Sequence, residues 1–273
     1  MCRVLEVPRS SLYAASDSSP SAREVEDDEL RGIVRATFEE HKGRYGRPRI
    51  QSELNDLGFH VSAKRVRRLM NEEGLAATRP KRFIRTTDSK HRFPKADNLL
   101  ERDFTATRPN EKWVGDLTYL WTAQGWMYLA TLQDVFSRMI VGWALKSTMD
   151  ESLTLDALMM ALGRRKFKGT LIHHTDQGSQ YAATTYRAIL EQRGITVSMS
   201  RKGDCWDNAM AESFNGTIKR ELMGDWIPST KGELRTEVFE YIEAYYNRKR
   251  KHSGIGYTSP HLFERQIAKN RRS

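Results

Sequence analysis

From Trp113 onward the chain carries five short apolar runs of strand character, and their order restricts the fold more than any other feature. WVGDLTYLWT, MYLATLQDVFS and MIVGWALK follow one another closely, with Gln124-Gly125 turning between the first two. Three strands in quick succession predict an antiparallel meander, because parallel neighbours need a crossover of a dozen residues or more. TLIHHT and ITVSM then alternate with helical periodicity over 150–163, 184–193 and 207–222; Leu153, Ala157, Leu158 and Leu162 mark the first of these. The order βββαβαβα predicts an α/β fold, a mixed five-stranded sheet flanked by helices.

The region before this unit reads differently. Residues 1–77 are expected to be all-helical. Leu30, Ile33, Val34 and Phe38 recur at helical spacing, Pro48 can open a second helix that Gly58 ends, and Ser62 can cap a third that stops at Gly74. That third helix turns Val66, Leu69 and Met70 inward and carries Lys64, Arg65, Arg67 and Arg68 on its other face. Helix, tight turn and basic helix is the pattern of a helix-turn-helix DNA reader. A solvated basic helix in a small bundle gives the same pattern. Residues 78–110 read as a basic linker, 111–228 as the α/β core, and 229–273 as a C-terminal helix with a basic tail. Leu234, Val238, Tyr241, Ile242 and Tyr245 line one side of that helix, over 231–247. Arg248, Lys249 and Arg250 follow it, either as nucleic-acid contacts or as partners of the helix dipole.

The net charge of +10 favours a polyanionic partner. Two cysteines, Cys2 and Cys205, make neither a disulfide framework nor a zinc module, and fit a reducing, cytoplasmic setting. No apolar run is long enough to span a membrane, and the N-terminus lacks the apolar core of a secretory signal.

Three acidic residues stand out by position. Asp116 lies inside the apolar first strand, where a carboxylate is costly unless paired or bound to a cation. Asp176 follows directly from TLIHHT, at a strand end of the kind where α/β folds hold ligands. Glu212 lies on the helix DNAMAESFNGTIKREL, with Asn208 one turn before it and Lys219 nearly two turns after it on about the same face; Arg220 stands beside Lys219. Three carboxylates on two strands and a helix can converge on a pair of Mg²⁺ ions, which would activate a water and stabilise a leaving oxygen in phosphodiester cleavage. Asp134, in LQDVFSR, is a competing carboxylate, read as structural and paired with Arg138 or Ser137.

The segments WVGDLTYL, LQDVFSRMIVGW, HHTDQGSQY and SRKGDCWDNAMAESFNGTIKREL resemble the integrase-type catalytic core of DDE transposases, in particular the OrfB proteins of bacterial insertion sequences. YNRKRKHSGIGYTSPHLFE and GRYGRPRIQSELNDLGFHVSAKRVRRLM resemble the family's C-terminal and N-terminal parts, so the likeness covers nearly the whole chain. It implies a ribonuclease-H-like fold and dependence on Mg²⁺ or Mn²⁺. By position it places the catalytic, metal-binding triad on Asp116, Asp176 and Glu212 and the following basic residue on Lys219. The implied reaction is cleavage at the ends of a mobile element, then attack of the freed 3′-OH on another strand. The implied partners are double-stranded DNA, at element ends and target, and further copies of the chain near the nucleoid. An upstream helix-turn-helix and zipper protein, joined by frameshifting, completes the set. A metal-dependent nuclease of the same fold and a non-catalytic DNA-binding regulator are the competing readings. The first shares the carboxylates without needing two basic regions; the second leaves the triad unexplained.

Overall fold

The computed structural model describes residues 20–78, 96–167, 169–201 and 205–270. The chain divides into two compact units, Met1–Thr78 and Arg79–Ser273.

The first unit holds three helices: α1 (Ala22–Glu40), α2 (Arg47–Asp56) and α3 (Ala63–Glu72). Each start is set locally. Ser21 and Glu24 form a reciprocal capping box on α1, Pro48 sits in the first turn of α2, and the Ser62 hydroxyl accepts from the Arg65 amide at 3.3 Å. Gly58 and Gly74, just past α2 and α3, have φ of +90° and +65°, which a side chain would resist. Leu30, Val34, Ile50, Leu54, Val66 and Leu69 are fully buried and make the core. The expected helix-turn-helix arrangement is therefore present.

The second unit is built on a sheet ordered β3-β2-β1-β4-β5. The strands are β1 (Lys112–Thr122), β2 (Gly125–Asp134), β3 (Ile140–Lys146), β4 (Leu171–Thr175) and β5 (Ile195–Met199). The first three form the antiparallel meander, while β1–β4 and β4–β5 are parallel. Helix α4 (Glu151–Arg164) crosses between β3 and β4, and α5 (Thr184–Gln192) between β4 and β5. Leu153, Ala157, Leu158 and Ala161 of α4 are buried against Trp113, Ala130, Leu132 and Val141 of the sheet. Helix α6 (Ala209–Ile218) brings Met210 and Ala211 into a second, smaller cluster with Val114, Val135 and Leu100. The expected mixed five-stranded sheet flanked by helices is what the chain forms.

Two expectations about the flanks need correction. Residues 96–110 are not a continuation of the linker. Leu100 is buried, the Leu99 amide donates to Ser198 Oγ at 2.9 Å, and the Met199 amide donates to the Asp97 carbonyl at 3.2 Å, so this stretch straps the end of β5. Its few apolar residues follow neither a helical nor a strand period, which is why it reads as linker. The rest of the linker, 79–95, lies outside the described residues. The C-terminal segment is not a tail either. After α7 (Lys231–Phe239) and π-helical turns over Glu240–Tyr246, a further helix, α8 (Pro260–Asn270), packs onto the same unit. Glu264 of α8 pairs with Arg165, and Asn247 bonds both the Ile140 amide and carbonyl at 2.9 and 3.0 Å.

The tightest sheet–helix approach is at Gly142, where an added Cβ would stand 2.2 Å from the Ala157 carbonyl. Gly142→Ala should cost about 1–3 kcal/mol, lowering the calorimetric Tm by several degrees. Gly163, in the last turn of α4 with open space around it, is the control: Gly163→Ala should be neutral or raise Tm. Equal Tm values for the two variants would contradict this packing.

Candidate active site

The parallel pairing of β1 with β4 runs Lys112↔Ile172, Trp113↔His173, Val114↔His174. Continuing that register by two residues sets Asp116 opposite Asp176, beyond the last paired residues, where the strands part. Adjacent strands lie about 4.8 Å apart. Two carboxylates are thus delivered to one opening in the sheet by backbone pairing alone.

The first is tightly oriented. Asp116 Oδ1 accepts from the Leu117 amide at 2.9 Å, and Oδ2 accepts from Asn215 Nδ2 at 2.9 Å. Its carboxyl is nevertheless held well above the usual carboxylate range. Burial is the largest cause, the Asp176 charge adds to it, and the Glu212 charge adds further. Glu212 is exposed on α6, three residues before Asn215. All three acids therefore share one field. On the β4 side, the Gly178 amide donates to Asp176 Oδ1 at 3.0 Å, and a Cβ at Gly178 would press on that same oxygen.

Helix α6 is stitched to β1 by two asparagines. Asn215 holds Asp116, and Asn208 donates to the Gly115 carbonyl at 3.2 Å. Asn208, expected on the face of Glu212, is thereby buried against the strand. Asn215 was not singled out by the sequence reading, although its spacing of three from Glu212 puts both on one face. Asp207 was also missed. It is fully buried just ahead of α6 and accepts from Arg201 Nε at 2.9 Å and Arg102 Nε at 3.1 Å, which hold its carboxyl well below the usual range. Arg201 lies six residues before Asp207, but Arg102 lies 105 residues before it, so only folding completes the knot.

Lys219 opens the π-helical turns Lys219–Met223 that extend α6. Burial lowers its pKa from the ordinary lysine value, while the Asp116 charge acts in the opposite direction. Its Nζ stands 4.5 Å from the centroid of the Tyr119 ring.

Other candidates resolve into structural roles. Asp134 is fully buried and accepts from the Asn110 and Phe136 amides at 2.7 and 2.9 Å and from Arg165 at 3.1 Å. It is structural, as expected, but its cationic partner is Arg165 rather than Arg138, and Ser137 bonds Glu264 instead. His173 and His174 are buried, bonded to Tyr186 and Ser198, and burial lowers them to about 3 and about 4, so both are neutral. Among the basic residues, Arg250 leaves the set of surface contacts: it is 3% exposed and forked onto Glu221 at 2.7 and 2.8 Å. Arg65 and Arg68 converge on Asp27 of α1, and Arg68 also reaches Glu72. Arg220 is part-buried and lies 3.6 Å from Glu221. Lys64, Arg67, Arg248 and Lys249 are exposed.

Among the described residues, no group of three or more His, Cys, Asp or Glu side chains is assembled to hold a metal ion. Asp116, Asp176 and Glu212 offer oxygen donors only. Such a set suits Mg²⁺ or Mn²⁺, hard cations that bind oxygen; Mg²⁺ usually takes one or two carboxylates and leaves positions for water and substrate phosphate. Mutual repulsion at Asp116 is the observation that fits a cation there.

The comparisons with known proteins agree with this geometry. Residues 106–205 and 193–260 each match a model of an integrase core domain, and 25–83 match a helix-turn-helix-like domain. These matches define the class, a DDE-type integrase core carried with a DNA-binding helical domain. The transposase for insertion sequence element IS904 of Lactococcus lactis is 46% identical over 90% of this chain and 97% of its own length. A 31 kDa protein of insertion element IS600 from Shigella sonnei is 43% identical over 96% and 97%, and the InsF transposase of IS3 from Escherichia coli 41% over 97% and 92%. The chain belongs to the family of bacterial insertion-sequence transposases. It is a DNA-acting enzyme, and no helix among its described residues is long and apolar enough to cross a membrane.

The raised Asp116 pKa has a consequence for stability. A carboxyl whose folded pKa exceeds its unfolded value destabilises the fold when ionised, and that cost is relieved as pH falls from the folded value towards the ordinary one. Without divalent ions, Asp116→Asn should therefore raise Tm at neutral pH, with the gap closing on acidification. Mg²⁺ should raise the parent's Tm more than the variant's. Identical melting curves at every pH would show that the repulsion is absent.

Proposed function

We propose that Asp116, Asp176 and Glu212 together hold two divalent ions, and that this site cuts the ends of an insertion element and joins the freed 3′-OH to a second DNA strand. The observation that carries the reading is the placement of Asp116 on β1 and of Asp176 one residue past the end of the adjacent parallel strand β4, with the charges of Asp176 and Glu212 both reaching the Asp116 carboxyl. Mg²⁺ or Mn²⁺ bound there would supply an activated water or hydroxyl and a stabilised leaving oxygen.

The side chains have the remaining tasks. The Leu117 amide and Asn215 fix the Asp116 carboxylate from two sides, so its oxygens need little reorganisation to bind a cation. Gly178 does the same for Asp176. Glu212, exposed on α6, is the member able to move with substrate. Lys219, beside Asp116, would take a phosphate of the strand being processed and offset its charge. Lys64 and Arg67 in the helical domain, and Arg248 and Lys249 after the π-helical turns, are the exposed cations suited to phosphate contacts on double-stranded DNA at element ends and target. Arg65 and Arg68 are partly neutralised by Asp27 and would contribute less. Two element ends call for at least two copies of the chain. Fusion to an upstream helix-turn-helix and zipper protein would add end recognition, and work on chromosomal DNA would place the enzyme at the nucleoid.

The test is strand cleavage and joining on DNA that carries the terminal repeats of the element. Asp116→Asn, Asp176→Asn and Glu212→Gln should each lower both steps by at least about a hundredfold, since even groups supporting a metal ligand are worth 10–100-fold. DNA affinity in the absence of metal should be unchanged. Retention of full activity in any of the three would remove that residue from the site, and cut but unjoined products would point to a nuclease.

A further inference from the structure

The β1–β2 hairpin ends in a group of aromatic rings that the fold does not use as core. Trp121 and Trp126 face each other across the hairpin, with ring centroids 4.8 Å apart and planes at 69°, and are 43% and 46% exposed. Tyr119 meets Trp126 edge-on at 5.2 Å. Edge-to-face packing cannot cover both faces of every ring, so indole surface stays open to solvent. Single exposed apolar residues are ordinary, but adjoining indoles usually mark a contact site.

Position and charge say what would cover them. β1 pairs with β4 only over 112–114, so the stretch that carries Tyr119 and Trp121 runs on past the end of β4. Lys219 lies with its Nζ 4.5 Å from the centre of the Tyr119 ring, within the field of Asp116. At the hairpin's tip, the Lys231 amide donates to Gln124 Oε1 at 3.0 Å, which ties the start of α7 to the turn. Aromatic faces bordered by the Lys219 cation suit a ligand that joins flat rings to a chain of phosphates.

We propose that Tyr119, Trp121 and Trp126 form a stacking platform for unpaired bases at the DNA end being processed, with Lys219 holding a phosphate between the platform and the carboxylates. The proposal rests on the reading of Asp116 as part of the active site. Opening the last base pairs lets the strand end enter the site apart from its complement, and a place to park splayed bases lowers the cost of opening it. Stacking is indifferent to sequence, since every base has a π-face. The platform would therefore act on end structure rather than end sequence.

The test uses the full chain in EDTA, with fluorescence anisotropy on a labelled blunt duplex and on the same duplex bearing a short unpaired thymidine tail. The parent should bind the tailed duplex more tightly. Trp121→Ala and Trp126→Ala should each weaken binding to the tailed duplex about tenfold, leave binding to the blunt duplex unchanged, and keep the parent's circular dichroism. Trp121→Phe should retain most of the preference. An Asp116→Asn chain run alongside separates the two readings: preserved tail preference with normal strand cleavage would count against the catalytic assignment and leave the platform standing. Tail affinity unaffected by either tryptophan change would overturn the platform, as would sedimentation showing that these changes only dissociate copies of the chain from one another.

Discussion

Parallel pairing of β1 with β4 directs two like charges to the one place where those strands part, and much of the second unit serves to hold that arrangement. Left alone, the pair would be relieved by a shift of register or by splaying of the strands. Neither is available. A one-residue slip would turn Trp113 and Leu171 out of the core, and both are fully buried. Helix α6 is tied to β1 at Gly115 and at Asp116, and so cannot carry Glu212 away without breaking both bonds.

Comparison with the other buried acids sharpens the distinction. Asp134, Asp207 and Glu221 are as withdrawn from solvent as any acid here, yet each is met by arginine: Arg165, Arg201 with Arg102, and Arg250. Removing one partner from a buried pair such as Arg165–Asp134 or Arg250–Glu221 typically costs about 3–5 kcal/mol, which marks these acids as structural. Asp116 receives an amide and an asparagine, donors without net charge, and two further carboxylates. The partner's charge, more than burial, separates the acids that stabilise the fold from the three proposed to do the chemistry. The same arginine pairs hold the strap at 96–110, the helix α8 and the π-helical turns in place around the sheet.

Belonging to the insertion-sequence transposases explains why the chain couples a helix-turn-helix unit to an integrase core: sequence recognition and strand chemistry require different surfaces. Charge alone does not mark the recognition surface, because several of the arginines are committed to internal partners. Lys64 and Arg67 on α3 and Arg248 and Lys249 after Tyr246 are exposed and are the residues proposed for phosphate contacts.

Periodicity and spacing were enough to read the five strands and the three N-terminal helices with their Ser62 cap, while the candidate acids Asp116, Asp176 and Glu212 stood out by position and by their family motif. Those features are encoded within a few residues or in a long motif, so a linear reading reaches them. Contacts between distant segments were not legible. Asn215 on Asp116, Arg165 on Asp134, the Arg201–Asp207–Arg102 knot and the burial of Arg250 join positions whose partners no local pattern names. The strap at 96–110 and helix α8 were misread for a related reason, since their order comes from packing on a sheet already formed. The sequence by itself determined which elements form and which side chains can do chemistry, because backbone preference and side-chain identity are local. Only the tertiary structure decided which charges are neutralised and which are left facing one another, because that depends on what folding brings alongside.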